Sequence, residues 1–213
     1  MVKAIFFDFW GTLVENGIWS PIKQVKESLG IKVHFSEYVV RMEEAMMTRK
    51  FASLGEAFES VCREFGLQCN EEKTEELVGM WNKSWMLAKP YDEVKDELDK
   101  LKGKYTLVLV SNTDCFSVGN VLDKFALRPF FDKTFFSYDI NLIKTDKNFF
   151  RKVLAELHLK AEECVLVGDS VQSDVIPAKR LGINAILMDR KGLFDYSPKI
   201  RNLSELKTVL ENM

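Results

Sequence analysis

Three short runs of apolar residues, each broken off by small polar or acidic residues, constrain this chain more than anything else in it. Ala4-Ile5-Phe6-Phe7 runs into Asp8, Tyr105 to Val110 into Ser111-Asn112, and Glu163 to Val167 into Gly168-Asp169. Hydrophobicity that is continuous rather than alternating marks strands covered on both faces, as in a parallel sheet. Further short strands are predicted at Lys133–Phe136 and Asn184–Met188. The stretches at about 92–101, 117–126, 146–157 and 173–181 repeat at helical spacing. Alternation of this kind predicts an α/β fold, a doubly wound parallel sheet with right-handed crossovers. Such sheets bind ligands beyond the carboxyl ends of their strands, which is where this chain collects its polar residues.

Residues 16–88 break the alternation and read as helix throughout. Pro21 to Leu29 begins after a serine and stops at Gly30. Ser36 is a suitable N-cap for a helix carrying Val39, Val40, Met42, Ala45, Met46 and Met47. Leu54 to Phe65 stops at Gly66, and Glu71 to Ala88 ends before Pro90. The expectation is a core of residues 1–15 and 89–213, interrupted by an all-helical insert over 16–88, with hinges at Glu15–Gly17 and Lys89–Tyr91.

The strand ends imply a particular chemistry. Asp8, Asp169 and Asp174 converge there, and three carboxylates in a small volume repel one another unless a cation joins them. Mg²⁺ suits an all-oxygen ligand set and keeps waters that phosphate oxygens can replace. Lys144 adds a fixed positive charge. Ser111 offers a hydroxyl, and the backbone N–H groups that follow it favour an anion. A carboxylate nucleophile, a metal, a lysine and hydroxyl donors are the parts of phosphoryl transfer through an aspartyl phosphate.

Taken in order, Asp8-Phe9-Trp10-Gly11-Thr12-Leu13, Ser111-Asn112, Lys144 ahead of Asn148-Phe149, and Gly168-Asp169-Ser170 with Asp174 resemble the four motifs of the haloacid dehalogenase (HAD) superfamily. The resemblance implies a Rossmann-like core with a helical cap of the C1 class, inserted between the first and second motifs. It implies Asp8 as nucleophile, with Thr12 and Lys144 in the catalytic machinery and Ser111 and Asn112 on the phosphate. Mg²⁺ would be held by Asp8, the backbone carbonyl of Trp10, Asp169 and Asp174. Phosphatases of the superfamily read Asp-x-Asp-Gly-Thr, and the second Asp is their general acid and base. This chain has Trp10 there. An indole N–H donates a hydrogen bond but moves no proton, and loss of general acid/base catalysis costs a factor of about 10²–10⁴.

Three readings follow. In the first, the chain is a Mg²⁺-dependent phosphatase or phosphotransferase acting on a small phosphorylated molecule, with a different proton donor; Asp114, Tyr138, Asp139 and His34 are the polar candidates. In the second it is a metal-free 2-haloacid dehalogenase, a branch that also carries an aromatic residue at this position and takes the halide with an insert arginine, here Arg41. In the third it is a low-activity scaffold that binds a ligand or a protein. Retention of Asp169 and Asp174, which a metal-free halide displacement does not use, favours the first. From the insert, Arg41 and Lys50 are expected to reach the substrate phosphate, with Arg49 and Trp85 nearby. A cap of this kind closes over the strand ends and excludes water.

Other classes are disfavoured. With 30 basic and 32 acidic residues and a net charge of −2, no basic field attracts nucleic acid. No apolar run reaches the ~18 residues of a membrane span. The stretch Met1–Trp10 is too short for a signal peptide and contains Asp8. No Gly-x-Gly-x-x-Gly or P-loop pattern is present. Two histidines without clustering make a zinc site improbable. Four scattered cysteines read as reduced thiols of a cytoplasmic protein, although Cys62 and Cys69 are near enough in sequence to pair.

Overall fold

The computed structural model describes residues 1–15 and 20–213. Six strands, β1 (Ala4–Phe7), β2 (Thr106–Ser111), β3 (Lys133–Phe136), β4 (Cys164–Gly168), β5 (Asn184–Met188) and β6 (Lys199–Ile200), form one parallel sheet in the order β3-β2-β1-β4-β5-β6. Strand β1 lies in the middle, with Ile5 opposite Leu107 on one side and Val165 on the other. The chain builds outward from β1 first through β2 and β3, then on the other side through β4 to β6. The reversal opens a crevice beyond the ends of β1 and β4.

Side chains leave each strand alternately to the two faces. Ile5, Phe7, Leu107, Leu109, Val165 and Val167 belong to one core cluster, and Ala4, Phe6, Val108, Val110, Leu166 and Leu187 to another. Coverage on both faces is the physical reason the strands are spelled as unbroken apolar runs.

Helices α1 (Pro21–Ser28), α2 (Phe35–Met47), α3 (Leu54–Glu64) and α4 (Glu71–Leu87) enclose a third core that includes Val25, Tyr38, Met42, Phe58, Leu77 and Trp81. Helices α5 (Val94–Leu101), α6 (Ser117–Lys124), α7 (Ser137–Ile140), α8 (Phe149–Leu157), α9 (Ile176–Arg180) and α10 (Leu206–Glu211) alternate with the strands or close the chain. Of the two expected hinges, Asn16 and Gly17 lie outside the described residues. At the other, Glu15 N–H donates to the Lys89 carbonyl (2.9 Å) and Tyr91 N–H to the Leu13 carbonyl (3.1 Å), so the segments run side by side.

Several boundaries differ from the sequence-based expectation. The N-cap of α2 is His34, whose ring nitrogen accepts from Ser36 N–H; Ser36 itself lies inside the helix. Helix α8 starts at Phe149 rather than near Asp146, because Asp146 turns back to accept from Asn148 N–H. The helix expected over 173–181 is a π-turn, Val171–Val175, followed by α9. The four cysteines are not all reduced: Cys115 and Cys164 are free, but Cys62 and Cys69 form a disulfide with their Cα atoms 6.2 Å apart. The turn at Gly66, which adopts φ +67°, folds the end of α3 back toward the start of α4 and brings the pair together.

Candidate active site

The segment after β1 is a tight turn that faces its polar atoms into the crevice. Asp8 N–H donates to the Val167 carbonyl (2.9 Å), fixing the end of β1 against the end of β4. Gly11, at φ +78°, supplies the left-handed step the turn needs. Thr12, one turn on from Asp8, donates its hydroxyl to Asp8 Oδ2 (3.1 Å). The Thr12 carbonyl accepts from Arg190 Nη2 (2.6 Å), and Arg190 also pairs with Glu93 (2.8 Å) and lies over the Tyr91 ring. Arg190 therefore braces the turn from behind. Its distance of 178 residues from Thr12 in the chain is the reason sequence reasoning missed it.

Asp8 does not stand alone. Lys144 Nζ donates to Asp8 Oδ1 (2.6 Å) and also to Asp174 Oδ1, and all three side chains are buried. Oxygens of Asp8, Asp169 and Asp174 lie within 4.8 Å of one another. Asp174 is aimed by Ser170 N–H, which donates to its second oxygen (3.0 Å), and by the absence of a side chain at Gly168. A Cβ at Gly168 would sit 2.4 Å from the Asp174 carboxyl carbon. Gly168→Ala is accordingly expected to displace Asp174, lower stability by about 1–3 kcal/mol, and weaken cation binding at the cluster. Urea unfolding and Mg²⁺ titration calorimetry measure the two effects.

The electrostatics follow from three carboxylates facing one ammonium. Burial, with the Asp174 charge adding, pushes the Asp8 carboxyl up to about 6 against the opposing pull of Lys144. Burial and the charges of Asp8 and Asp174 raise Asp169 well above the ordinary carboxylate range. Burial disfavours the Lys144 ammonium, but Asp174 and Asp8 outweigh it and hold its pKa above that of ordinary lysine. Three crowded carboxyl groups around a single ammonium, offering only oxygen donors, fit a small hard divalent cation.

The cluster forms the floor of a cavity of about 260 Å³. Asn112, Thr113 and Asp114 line it after β2, and Ile22, Val39, Met47, Trp81 and Trp85 give the helical side an apolar wall. Trp10 lines it too, its indole N–H donating to Thr113 Oγ1 (3.3 Å). Asn112 spans the middle: Oδ1 accepts from Lys144 N–H (2.8 Å), and Nδ2 donates to Glu43 Oε2 of α2 (2.8 Å). Ser111 is buried at the end of β2, with Oγ 3.4 Å from the Asn112 carbonyl, and does not line the cavity.

Other expected residues are placed elsewhere. Arg41 pairs with Glu37 (3.0 Å) and Glu64 (2.7 Å) and lies over the Phe65 ring. Lys50 pairs with Asp139 (2.6 Å) on the surface, and Arg49 lies over Phe51. None of the three lines the cavity, each being held by these other partners. Among the proposed proton donors, His34 is consumed as a cap, Asp139 by Lys50, and Tyr138 stacks on Phe136. Asp114 does line the cavity, yet it is saturated by the N–H groups of Phe116 and Ser117, the Ser117 hydroxyl and the Trp81 indole. Glu43 was not anticipated. It lies in α2 between Met42 and Glu44 and is only 7% exposed.

Comparison with known proteins matches the chain to a family model described as haloacid dehalogenase-like hydrolase over residues 2–182. A glyceraldehyde 3-phosphate phosphatase from Methanocaldococcus jannaschii is 27% identical across all of this chain and 99% of its own length. Among solved structures, a 2-haloacid dehalogenase from Pseudomonas syringae superposes with a TM-score of 0.68 at 20% identity, covering 100% of this chain and 99% of its own. A HAD phosphatase from Thermococcus onnurineus superposes with a TM-score of 0.64 at 24% identity, covering 98% of each chain. At these identities the structural likenesses speak for the fold.

Proposed function

The chain belongs to the haloacid dehalogenase-like hydrolase family, and on that premise we propose that it is a Mg²⁺-dependent phosphatase acting on a small phosphorylated molecule through an aspartyl phosphate on Asp8. The observation that carries this reading is the buried Asp8–Lys144–Asp174 array with Asp169 beside it, an arrangement that needs a cation. Asp8, Asp169, Asp174 and the backbone carbonyl of Trp10 would hold Mg²⁺, which when bound offsets negative charge on the transferring phosphoryl group. Asp8 attacks phosphorus with one carboxylate oxygen while the bond to the leaving oxygen breaks. Lys144 keeps Asp8 ionised and stabilises phosphoryl charge, and Thr12 holds the other Asp8 oxygen in place. Asn112 and the N–H groups after β2 receive the phosphate oxygens. Residues 16–88 act as a cap over a 1–15 and 89–213 core, setting an apolar roof above the charged floor. The name of the M. jannaschii relative and the cavity volume together support a substrate the size of a triose phosphate.

The dehalogenase reading draws on Trp10 and on the Pseudomonas syringae likeness. It needs an insert cation for the halide, however, and Arg41 is tied up by Glu37 and Glu64 away from the cavity. It also leaves Asp169 and Asp174 without a task.

Release of p-nitrophenol from p-nitrophenyl phosphate tests the proposal. The expected result is release that requires Mg²⁺ and stops with EDTA, because this leaving group departs without a proton. Absence of release under all metal conditions would overturn the reading, and chloride release from 2-haloacids would become the assay of choice.

A further inference from the structure

Trp10 leaves the aspartyl phosphate chemistry without the carboxyl that would protonate the leaving group, yet the cavity contains a carboxyl whose position the chain order conceals. Helix α2 brings Glu43 into the wall of the cavity that has Asp8 on its floor. Glu43 is connected to Asp8 through two residues: its Oε2 accepts from Asn112 Nδ2 (2.8 Å), Asn112 Oδ1 accepts from Lys144 N–H (2.8 Å), and Lys144 Nζ donates to Asp8 (2.6 Å). The other described carboxyls lining the cavity are already committed. Asp8, Asp169 and Asp174 form the cation cluster, and Asp114 is saturated by the Phe116 and Ser117 N–H groups, the Ser117 hydroxyl and the Trp81 indole. Resting on the phosphatase reading above, we propose that Glu43 is the general acid and base of this enzyme, supplied by the helical insert instead of by the strand β1 turn.

Its surroundings suit the task. Burial is the main influence on the Glu43 carboxyl and pushes it up to about 7; the charged groups acting on it are Lys144, which lowers it, and Asp174 and Asp8, which raise it. A carboxyl of this kind is poised to give and take a proton near neutrality. In the first half-reaction Asp8 forms its bond to phosphorus, the phosphorus–oxygen bond to the leaving group breaks, and the Glu43 proton passes to that alkoxide oxygen. In the second, Glu43, now ionised, takes a proton from water as the water oxygen bonds to phosphorus. The acyl-phosphate bond breaks, restoring the Asp8 carboxylate and releasing inorganic phosphate. Glu43 ends protonated, as it began.

The test compares a leaving group that needs a proton with one that does not. In Glu43→Gln, the amide oxygen still accepts from Asn112, so a purely positioning role is largely preserved. The expected result is a fall in kcat/KM of about 10²–10⁴ for glycerol phosphate and of less than 10-fold for p-nitrophenyl phosphate. A burst of p-nitrophenol followed by slower turnover should accompany it, since the second half-reaction loses its base. Equal losses for the two substrates, or no loss for either, would overturn the proposal. Wild-type enzyme gives a second arm that needs no variant: kcat/KM for glycerol phosphate should fall relative to that for p-nitrophenyl phosphate as pH rises through about 7. Parallel profiles would count against Glu43. Failure of the phosphatase reading is distinguishable, because wild-type enzyme would then show no Mg²⁺-dependent release from either substrate.

Discussion

Asp8→Asn, which removes the nucleophile of the proposed reaction, is expected to lose Mg²⁺-dependent phosphate release by about 10⁴–10⁶-fold, the scale on which removal of a covalent nucleophile is felt, while becoming more stable. The two effects share one cause. A carboxyl pushed up to about 6 by burial in the folded chain, against about 3.9 when unfolded, binds more protons folded than unfolded between those values. It therefore lowers stability as pH rises through that window. Asparagine keeps an oxygen to accept from Lys144 and carries no charge to bury. In EDTA at pH 8 the variant should unfold with a free energy up to about 3 kcal/mol higher than wild type, and at pH 4 the difference should shrink to about 0.5 kcal/mol. Urea denaturation at the two pH values measures it. A variant inactive because it had collapsed would shift in the opposite direction.

Lys144→Met carries the complementary penalty. Lys144 is the buried cation between Asp8 and Asp174, and its removal leaves those carboxylates facing each other and Asp169 with no compensating charge. Removing one partner of a buried ion pair costs about 3–5 kcal/mol. The cost should be greatest at pH 8, where the carboxylates are forced to ionise. It should shrink toward pH 5, where they accept protons in the folded state and escape their mutual repulsion. Millimolar Mg²⁺ should recover part of the stability at pH 8, because a divalent ion replaces some of the missing charge. It should not recover activity, since on the proposed mechanism the phosphoryl group loses a donor fixed in position. Thermal unfolding with and without Mg²⁺, alongside the phosphatase assay, separates the two roles. Insensitivity of the loss to pH would mean that Lys144 acts by packing alone.

How much of this was legible in the residues depends on the range over which each signal acts. The strands were legible because a strand covered on both faces must be apolar at every position, and β1, β2 and β4 are spelled that way. Their polar terminations placed Asp8, Asn112 and Asp169 at one edge of the sheet. Lys144 and Asp174 stood out through the resemblance of the motif order to the HAD superfamily, and the structure brings both to Asp8. The insert was less readable. Its helices show clear apolar stripes, but a stripe says only which face is covered, not which polar residues at its margin look into a cavity. Arg41 and Lys50 were expected at the phosphate for their charge, and in the structure each meets a surface carboxylate instead. Glu43, two residues from Arg41, sits at the margin of that stripe between Met42 and Glu44.

The sequence by itself determined the sheet, the polar ends of its strands and the absence of a carboxyl at position 10, because these are local matters of backbone pairing and residue identity. Only the tertiary structure decided that Arg190 braces the Thr12 turn and that Glu43, rather than Arg41, enters the cavity. Both depend on contacts between segments far apart in the chain, and about 100° of helix rotation per residue separates a buried position from an exposed one. Which of them lines the cavity is set by how α2 packs beside the strand ends.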